Sequence, residues 1–261
     1  AKLCYPFEAL KQFKMPLLNT LSKSDCLKNL SQETFFRRTV SFYRYIRIAN
    51  PEKFRDELYR DWSALGVLGR VYLAGEGINA QVSVPEPSWA GFEAHVNGIK
   101  EFSQVPFKFA VQDGLSFWKL IVRTRPQIVA DGLPDHTYDV SNVGKHLNAV
   151  EFHQALDDEN SVVVDMRNRY ESRIGRFENA LTPEAETFRE ELPLVKKLLQ
   201  GQEKKKILLY CTGGIRCEKA SAYLKNAGFS DVNQLFGGII QYAHEIRKRG
   251  LPSKFKGRNF V

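Results

Sequence analysis

Cysteine is scarce: four residues in 261, too few and too scattered to staple a fold of this size. A disulfide-built secreted domain is therefore excluded, and a reducing, cytoplasmic compartment is the expected setting. Long apolar runs are missing too. None approaches the roughly 18 residues that span a bilayer, so no membrane association is expected. Residues 1–16 lack the apolar centre and small-residue cleavage site of a secretory signal. The five histidines, His95, His136, His146, His153 and His244, form no His-x-Asp/Glu facial triad for iron, and no second Cys pair is spaced for zinc. No Gly-x-Gly-x-x-Gly loop follows a strand pattern, so neither a metal nor a dinucleotide cofactor is expected.

What remains is an ordinary globular composition, 43% hydrophobic and 26% charged, in a chain long enough for two domains at roughly 100–200 residues each. The net charge of +8 is concentrated at the ends. Residues 1–47 hold nine Lys/Arg against three acids, and residues 245–261 hold six against Glu245, which leaves a slightly acidic body between them. Basic ends suit a polyanion such as RNA, with Arg37, Arg38, Arg44, Arg47 and the cluster Arg247, Lys248, Arg249 as candidate contacts. Solvated, mobile ends would look the same.

Residues 1–37 read as an arm with one short helix near Leu21–Leu30. Val40–Ile48 is aromatic and β-branched, a strand. Asn50 and Pro51 then open a helix over 51–65, with Phe54, Leu58, Trp62 and Leu65 at helical spacing. Strands follow at Val67–Leu73 and Ile78–Val84 around the Gly75–Gly77 turn, a helix opens at Pro87, and further strands are expected at Phe107–Val111 and Phe117–Arg123. The order β-α-β-β-α-β over residues 38–123 predicts a ferredoxin-like α+β domain. Residues 124–147, with Pro126, Gly132, Pro134 and Gly144, read as a linker. Over 148–250 helices at Ala149–Leu156, Pro183–Leu199, Cys217–Asn226 and Gly238–Arg249 alternate with strands at Val162–Val164, Ile207–Tyr210 and Val232–Leu235. That alternation predicts an α/β domain around a central parallel sheet. Residues 251–261 read as a basic tail.

The chemistry is concentrated at the end of one strand. Ile207–Tyr210 runs directly into Cys211, followed by Thr212, Gly213, Gly214, Ile215 and Arg216 before a helix starts near Cys217. In an open parallel sheet, ligands bind at the carboxyl ends of strands. A short glycine-containing loop lets backbone N–H groups converge on the sulfur, a helix N-terminus adds its positive end, and Arg216 adds a cation. The thiol should therefore ionise below its free value of about 8.5 and act as a nucleophile. The alternative is a buried structural cysteine. A Cys-x5-Arg phosphatase needs one more residue than this loop has. Cys217 either packs at the helix start or resolves an oxidised Cys211. Asp165, ending a strand at the same sheet edge, either braces the loop or merely caps it. Arg167 and Arg173 are open to phosphate contact or to solvent. The turn at Glu76–Asn79 either faces the cysteine loop or is a plain hairpin.

The segments Val164–Glu171 and Ile174–Ala180, with Tyr210–Ser221 and Gly237–Ile240, resemble rhodanese domains. Together with Ser41–Tyr45, Gly69–Leu73, Glu76–Gln81 and Ser116–Trp118, they are similar to the tRNA uridine(34) hydroxylase family, over about residues 38–261. The resemblance implies oxygen-dependent 5-hydroxylation of the wobble uridine of tRNA, with molecular oxygen as co-substrate and Cys211 as the persulfide-type catalytic residue. Two departures stand out. Arg176 occupies a position usually held by His, and the chain stops at Val261 where long-form members continue into a cysteine-rich tail, so the sequence is expected to be truncated. Met15 resembles the usual start. Two other functions compete with the hydroxylase: a rhodanese-type sulfurtransferase using the same cysteine, and a non-catalytic RNA- or protein-binding adaptor, against which the intact loop argues.

Overall fold

A computed structural model describes residues 19–110, 116–134 and 137–259. Residues 1–18 of the amino-terminal arm, with Cys4 and Met15, lie outside the described residues, as do His136 and the end of the Phe107–Val111 strand. One helix of the arm is described, α1 (Lys23–Ser31), which buries Cys26 and Leu30.

The first domain contains β1 (Arg37–Tyr45), α2 (Pro51–Ala64), β2 (Leu68–Ala74), β3 (Gly77–Pro85), α3 (Trp89–Gly98), β4 (Lys108–Phe109) and β5 (Leu120–Thr124). The sheet order is β4-β1-β3-β2-β5. The first four strands make the expected ferredoxin-like arrangement, with antiparallel neighbours. The strand expected at Phe117–Arg123 is an addition to it: β5 starts at Leu120 and pairs in parallel with β2. β1 stops short of Ile48 because the N–H groups of Ile46 and Ile48 leave the ladder for the Glu76 and Gly75 carbonyls. Asn50 caps α2 through the Lys53 amide at 2.9 Å, with Pro51 at the first helical position. Val40, Phe42, Val71, Ala80 and Val82 point from the sheet onto Trp62 and Phe92 of the helices, giving one apolar core.

The second domain is the expected α/β unit. β6 (Lys145–Leu147), β7 (Ser161–Asp165), β9 (Lys206–Tyr210) and β10 (Asp231–Leu235) form an all-parallel sheet in the order β6-β10-β9-β7. Around it lie α4 (Ala149–Ala155), α5 (Arg169–Ile174), α6 (Phe188–Leu198), α7 (Ile215–Asn226) and α8 (Gly238–Lys248), with separate apolar clusters on the two faces. β8 (Gly175–Phe177) pairs with β11 (Phe255–Gly257), so the stretch read as a basic tail is stitched onto the domain. Likewise the stretch read as a linker supplies β6 and buries Ile128 and Asp131. The helix expected from Pro183 begins only at Phe188, where Thr187 caps it.

Candidate active site

β9 is buried throughout Ile207–Tyr210 and delivers Cys211 at its carboxyl end. The chain then turns through Thr212, Gly213 and Gly214 into α7. Gly214 holds φ at 97°, a left-handed conformation that a Cβ penalises. A Cβ there would also stand 2.9 Å from the Tyr43 hydroxyl. Its N–H donates to the Cys211 sulfur at 3.1 Å, and the Arg216 and Cys217 amides converge on the same atom. The start of α8 fastens the loop from the other side: the Ile239 N–H donates to the Cys211 carbonyl at 3.0 Å and that of Ile240 to Thr212 at 3.2 Å.

Two cysteines share this cradle, and their environments separate them. Burial opposes ionisation of Cys211. The Cys217 thiol, the Arg216 guanidinium and the converging amides outweigh it, bringing the pKa from 9.0 to about 6. Cys217 is pushed well above 9.0, first by burial and then by donating to Cys211. Cys211 is therefore the thiolate at neutral pH, and Cys217 keeps its proton. Both are buried free thiols.

Arg216 is held rather than free. Its guanidinium grips Glu171 at 2.7 and 3.0 Å, and Glu171 also accepts from the Thr212 hydroxyl at 3.1 Å and the Asn168 amide at 3.2 Å. Burial raises the Glu171 pKa, but Arg216 and Thr212 more than offset this and keep it ionised. One carboxylate thus fixes both ends of the loop's polar side. Glu191 lies buried nearby with neither oxygen hydrogen-bonded to a described residue, and burial pushes its carboxyl well above the usual range.

Asp165 and Arg167 form a fully buried pair at 2.7 and 2.8 Å. The Tyr210 hydroxyl donates to Asp165 at 2.7 Å, and Arg167 continues to the Gly175 carbonyl at 2.5 Å and Asn259 at 3.0 Å. Asp165 therefore braces the strand residue before Cys211, without hydrogen bonds to residues 212–216. Arg167 is neither a solvated nor a phosphate-facing arginine, because it is fully buried and its guanidinium is taken up by Asp165, the Gly175 carbonyl and Asn259. Arg173 is exposed. Among the described residues, Arg176 reaches the Ser172 carbonyl at 3.4 Å.

Several basic residues considered for RNA have other partners. Arg37 is 8% exposed and clamps Glu33 with the Gly66 and Ser83 carbonyls. Arg38 pairs with Glu86 over the Trp89 ring. Arg44 touches the Ser103 carbonyl at 3.3 Å, and Arg47 is exposed. Arg247, Lys248 and Arg249 are exposed at the far end of α8, roughly 14 Å along the helix from the cysteine loop.

The charge beside Cys211 comes from elsewhere. A cavity of about 1020 Å³ opens between the domains, with Cys211, Tyr43, Asn79 and Lys108 among its walls. Its described lining holds four cations, Arg70, Lys108, Arg216 and Arg258, and no carboxylate. Lys108 is 6% exposed with its ammonium 4.0 Å from the Tyr43 ring centre. Burial pulls its pKa down to about 8 against the pull of Cys211 and Glu218. The Tyr43 hydroxyl donates to Glu218 at 2.9 Å, and Lys219 joins Glu76 at 2.9 Å and Asp131 at 3.0 Å, locking the domains together. The Glu76–Asn79 turn is thus a hairpin turn that also docks on the second domain. Sequence reasoning missed Lys108, Glu171 and Glu218. A signal existed for two of them: a lysine between Phe107 and Phe109, and a glutamate three residues after Asn168 in capping-box spacing. Among the described residues, no group of three or more His, Cys, Asp or Glu side chains is placed to hold a metal ion.

A family model described as the UPF0176 acylphosphatase-like domain matches residues 37–128, and the rhodanese-like domain matches 148–245. Curated proteins named tRNA uridine(34) hydroxylase align over 95% of this chain. The one from Leptospira interrogans serovar Lai is 55% identical, with 68% of its length covered. Those from Enterobacter sp. (strain 638) and Escherichia coli K12 are each 48% identical, with 72% and 71% covered. A solved rhodanese-like domain from Anabaena sp. is 19% identical, covering 43% of this chain and 79% of that one at a TM-score of 0.35, too slight a likeness to add to these.

Proposed function

The chain belongs to the tRNA uridine(34) hydroxylase family, and we infer from that membership and the Cys211 cradle that it is a tRNA-modifying enzyme acting on the wobble uridine. The observation that carries the chemistry is Cys211 itself, a thiolate at neutral pH at the wall of a cavity lined by cations. A thiolate so placed is the nucleophile of turnover, and the fixed Arg216–Glu171 pair keeps its cradle rigid. The oxygen is supplied by O2. One atom goes to C5 of uracil and the other leaves as water, with two electrons and two protons drawn from a thiol-class reductant. The substrate is tRNA. No helix among the described residues is long and apolar enough to cross a membrane, and a cytoplasmic site of action fits a tRNA substrate and free thiols.

A sulfurtransferase would use the same thiolate, but the relatives across both domains favour the hydroxylase. The deciding experiment is mass spectrometry of wobble nucleosides from cells lacking the protein. Nucleosides derived from 5-hydroxyuridine should disappear, return with the wild-type chain, and stay absent with Cys211→Ser, whose hydroxyl ionises far too high to replace the thiolate. Unchanged nucleosides in the deleted strain would overturn the reading in favour of sulfur transfer.

A further inference from the structure

We propose that the open face of the amino-terminal sheet is the nucleotide-reading site, holding unpaired RNA so that Asn79 and Gln81 take the edge of a pyrimidine and Arg70 and Arg258 its flanking phosphates. This rests on the tRNA-modifying function inferred above and says where the RNA lies.

The argument starts from strand alternation. Successive side chains point to opposite faces, and Val40, Phe42, Val71, Ala80 and Val82 enter the core. Ser41, Tyr43, Arg70, Asn79 and Gln81 therefore share the other face, and all five line the cavity that contains Cys211. Register sets them in rows. Arg70 lies opposite Gln81, and Gln81 opposite Ser41, across three neighbouring strands; Asn79 lies opposite Tyr43 one step along. Strands stand about 4.8 Å apart and alternate residues about 6.8 Å apart, so the two rows form a patch on the order of 10 Å across, the scale of a nucleotide and its phosphates.

The Tyr43–Asn79 row adjoins the cysteine loop, since Tyr43 bonds Glu218 and the Tyr45 hydroxyl donates to the Ile215 carbonyl at 3.3 Å. The Arg70–Gln81–Ser41 row lies one step further out along the same wall. A polar sheet face packed permanently against another domain would have its groups satisfied. Here Arg70 and Gln81 are exposed, and neither side chain bonds any described residue. The ligand is anionic by complementarity: with Arg216 spent on Glu171, Arg70, Lys108 and Arg258 face a cavity whose described lining holds no carboxylate. A carboxamide carries two N–H donors and a carbonyl acceptor, so Gln81, and Asn79 with one N–H given to the Ile128 carbonyl at 3.5 Å, can each meet the N3–H and a neighbouring carbonyl of uracil. Proteins read unpaired RNA bases on such edges and stack them on aromatic rings, and Phe117 lines the same cavity.

The test is fluorescence anisotropy with an anticodon stem-loop hairpin carrying uridine at the wobble position, beside the same hairpin carrying cytidine. Arg70→Glu should weaken both hairpins and flatten the salt dependence, because a phosphate contact and its released counterion are lost. Gln81→Ala should weaken both hairpins by roughly tenfold, because a carboxamide can turn to match the N3–H and carbonyl of uracil or the N3 and amino group of cytosine. Gln81→Glu keeps the shape but loses the donor, so it must do the same if the amide is what matters. Circular dichroism confirms that each exposed-site variant is folded. Wild-type affinity and selectivity in all three variants would overturn the sheet site. Wobble-nucleoside analysis in the deleted strain separates the two ideas. Failure of the wild-type chain to restore 5-hydroxyuridine sinks the function, whereas restoration by wild type and variants alike sinks only the sheet site.

Discussion

At the scale of single residues, the site turns on which of two neighbouring thiols carries the proton. Cys211 was legible in the sequence because a strand, two glycines, an arginine and a helix surround it. Its partner Glu171 was not, because it is distant in sequence and only the fold brings it to Arg216 at 2.7 Å. The rate of iodoacetamide alkylation of the native protein should rise with pH and level off, with a midpoint near 6. Arg216→Met should move that midpoint up toward the ordinary thiol value, and Lys108→Met should move it up by less. A native midpoint above 8 would show that the amides and Arg216 fail to offset burial. The sign for stability follows from the depressed value: ionised Cys211 favours the folded state above the unfolded thiol pKa, and the contribution is lost as pH falls through about 6.

At the scale of elements, most segments with a clear period were read correctly and several of the shortest were missed. α2 and α8 announce themselves by apolar spacing over three turns. α5, β6, β8 and β11 run only three to six residues, too few for a period, and they exist because neighbours supply their hydrogen bonds. The same dependence makes the loop glycines unequal. Gly238 sits at φ 66°, and a Cβ there would meet the Cys211 and Thr212 carbonyl oxygens at 2.5 Å. Among the described residues, a Cβ on Gly213 would meet only the Lys108 side chain, at 4.0 Å. Gly213→Ala should therefore leave urea stability near wild type. Gly238→Ala should cost at least the roughly 1–3 kcal/mol of such backbone strain and slow Cys211 alkylation. Equal effects of the two would show that α8 does not fasten the loop.

At the scale of the whole molecule, the domains work as one because Lys219, 1% exposed, bridges Glu76 and the buried Asp131. Removing one partner of a buried pair leaves charge uncompensated, at about 3–5 kcal/mol. Lys219→Ala should therefore weaken docking. All three tryptophans lie in the first domain, so their fluorescence reports its unfolding while Cys211 reactivity reports the second. In urea the two signals should coincide for wild type and separate for the variant. Coincidence in both would mean that docking rests on other contacts.

The two domain types, the order of the principal elements and the cysteine loop could be read from the primary sequence, since periodicity, capping and loop chemistry are local and written in neighbouring residues. Which charges meet was settled by the tertiary packing. It engaged Arg37 and Arg167 with protein acceptors. It placed Arg247, Lys248 and Arg249 at the far end of their helix, and it brought Arg70, Lys108 and Arg258 to the cavity beside Cys211. Net charge counted along a chain cannot show this, because an ion pair or a docking face is set by distances between residues far apart in sequence.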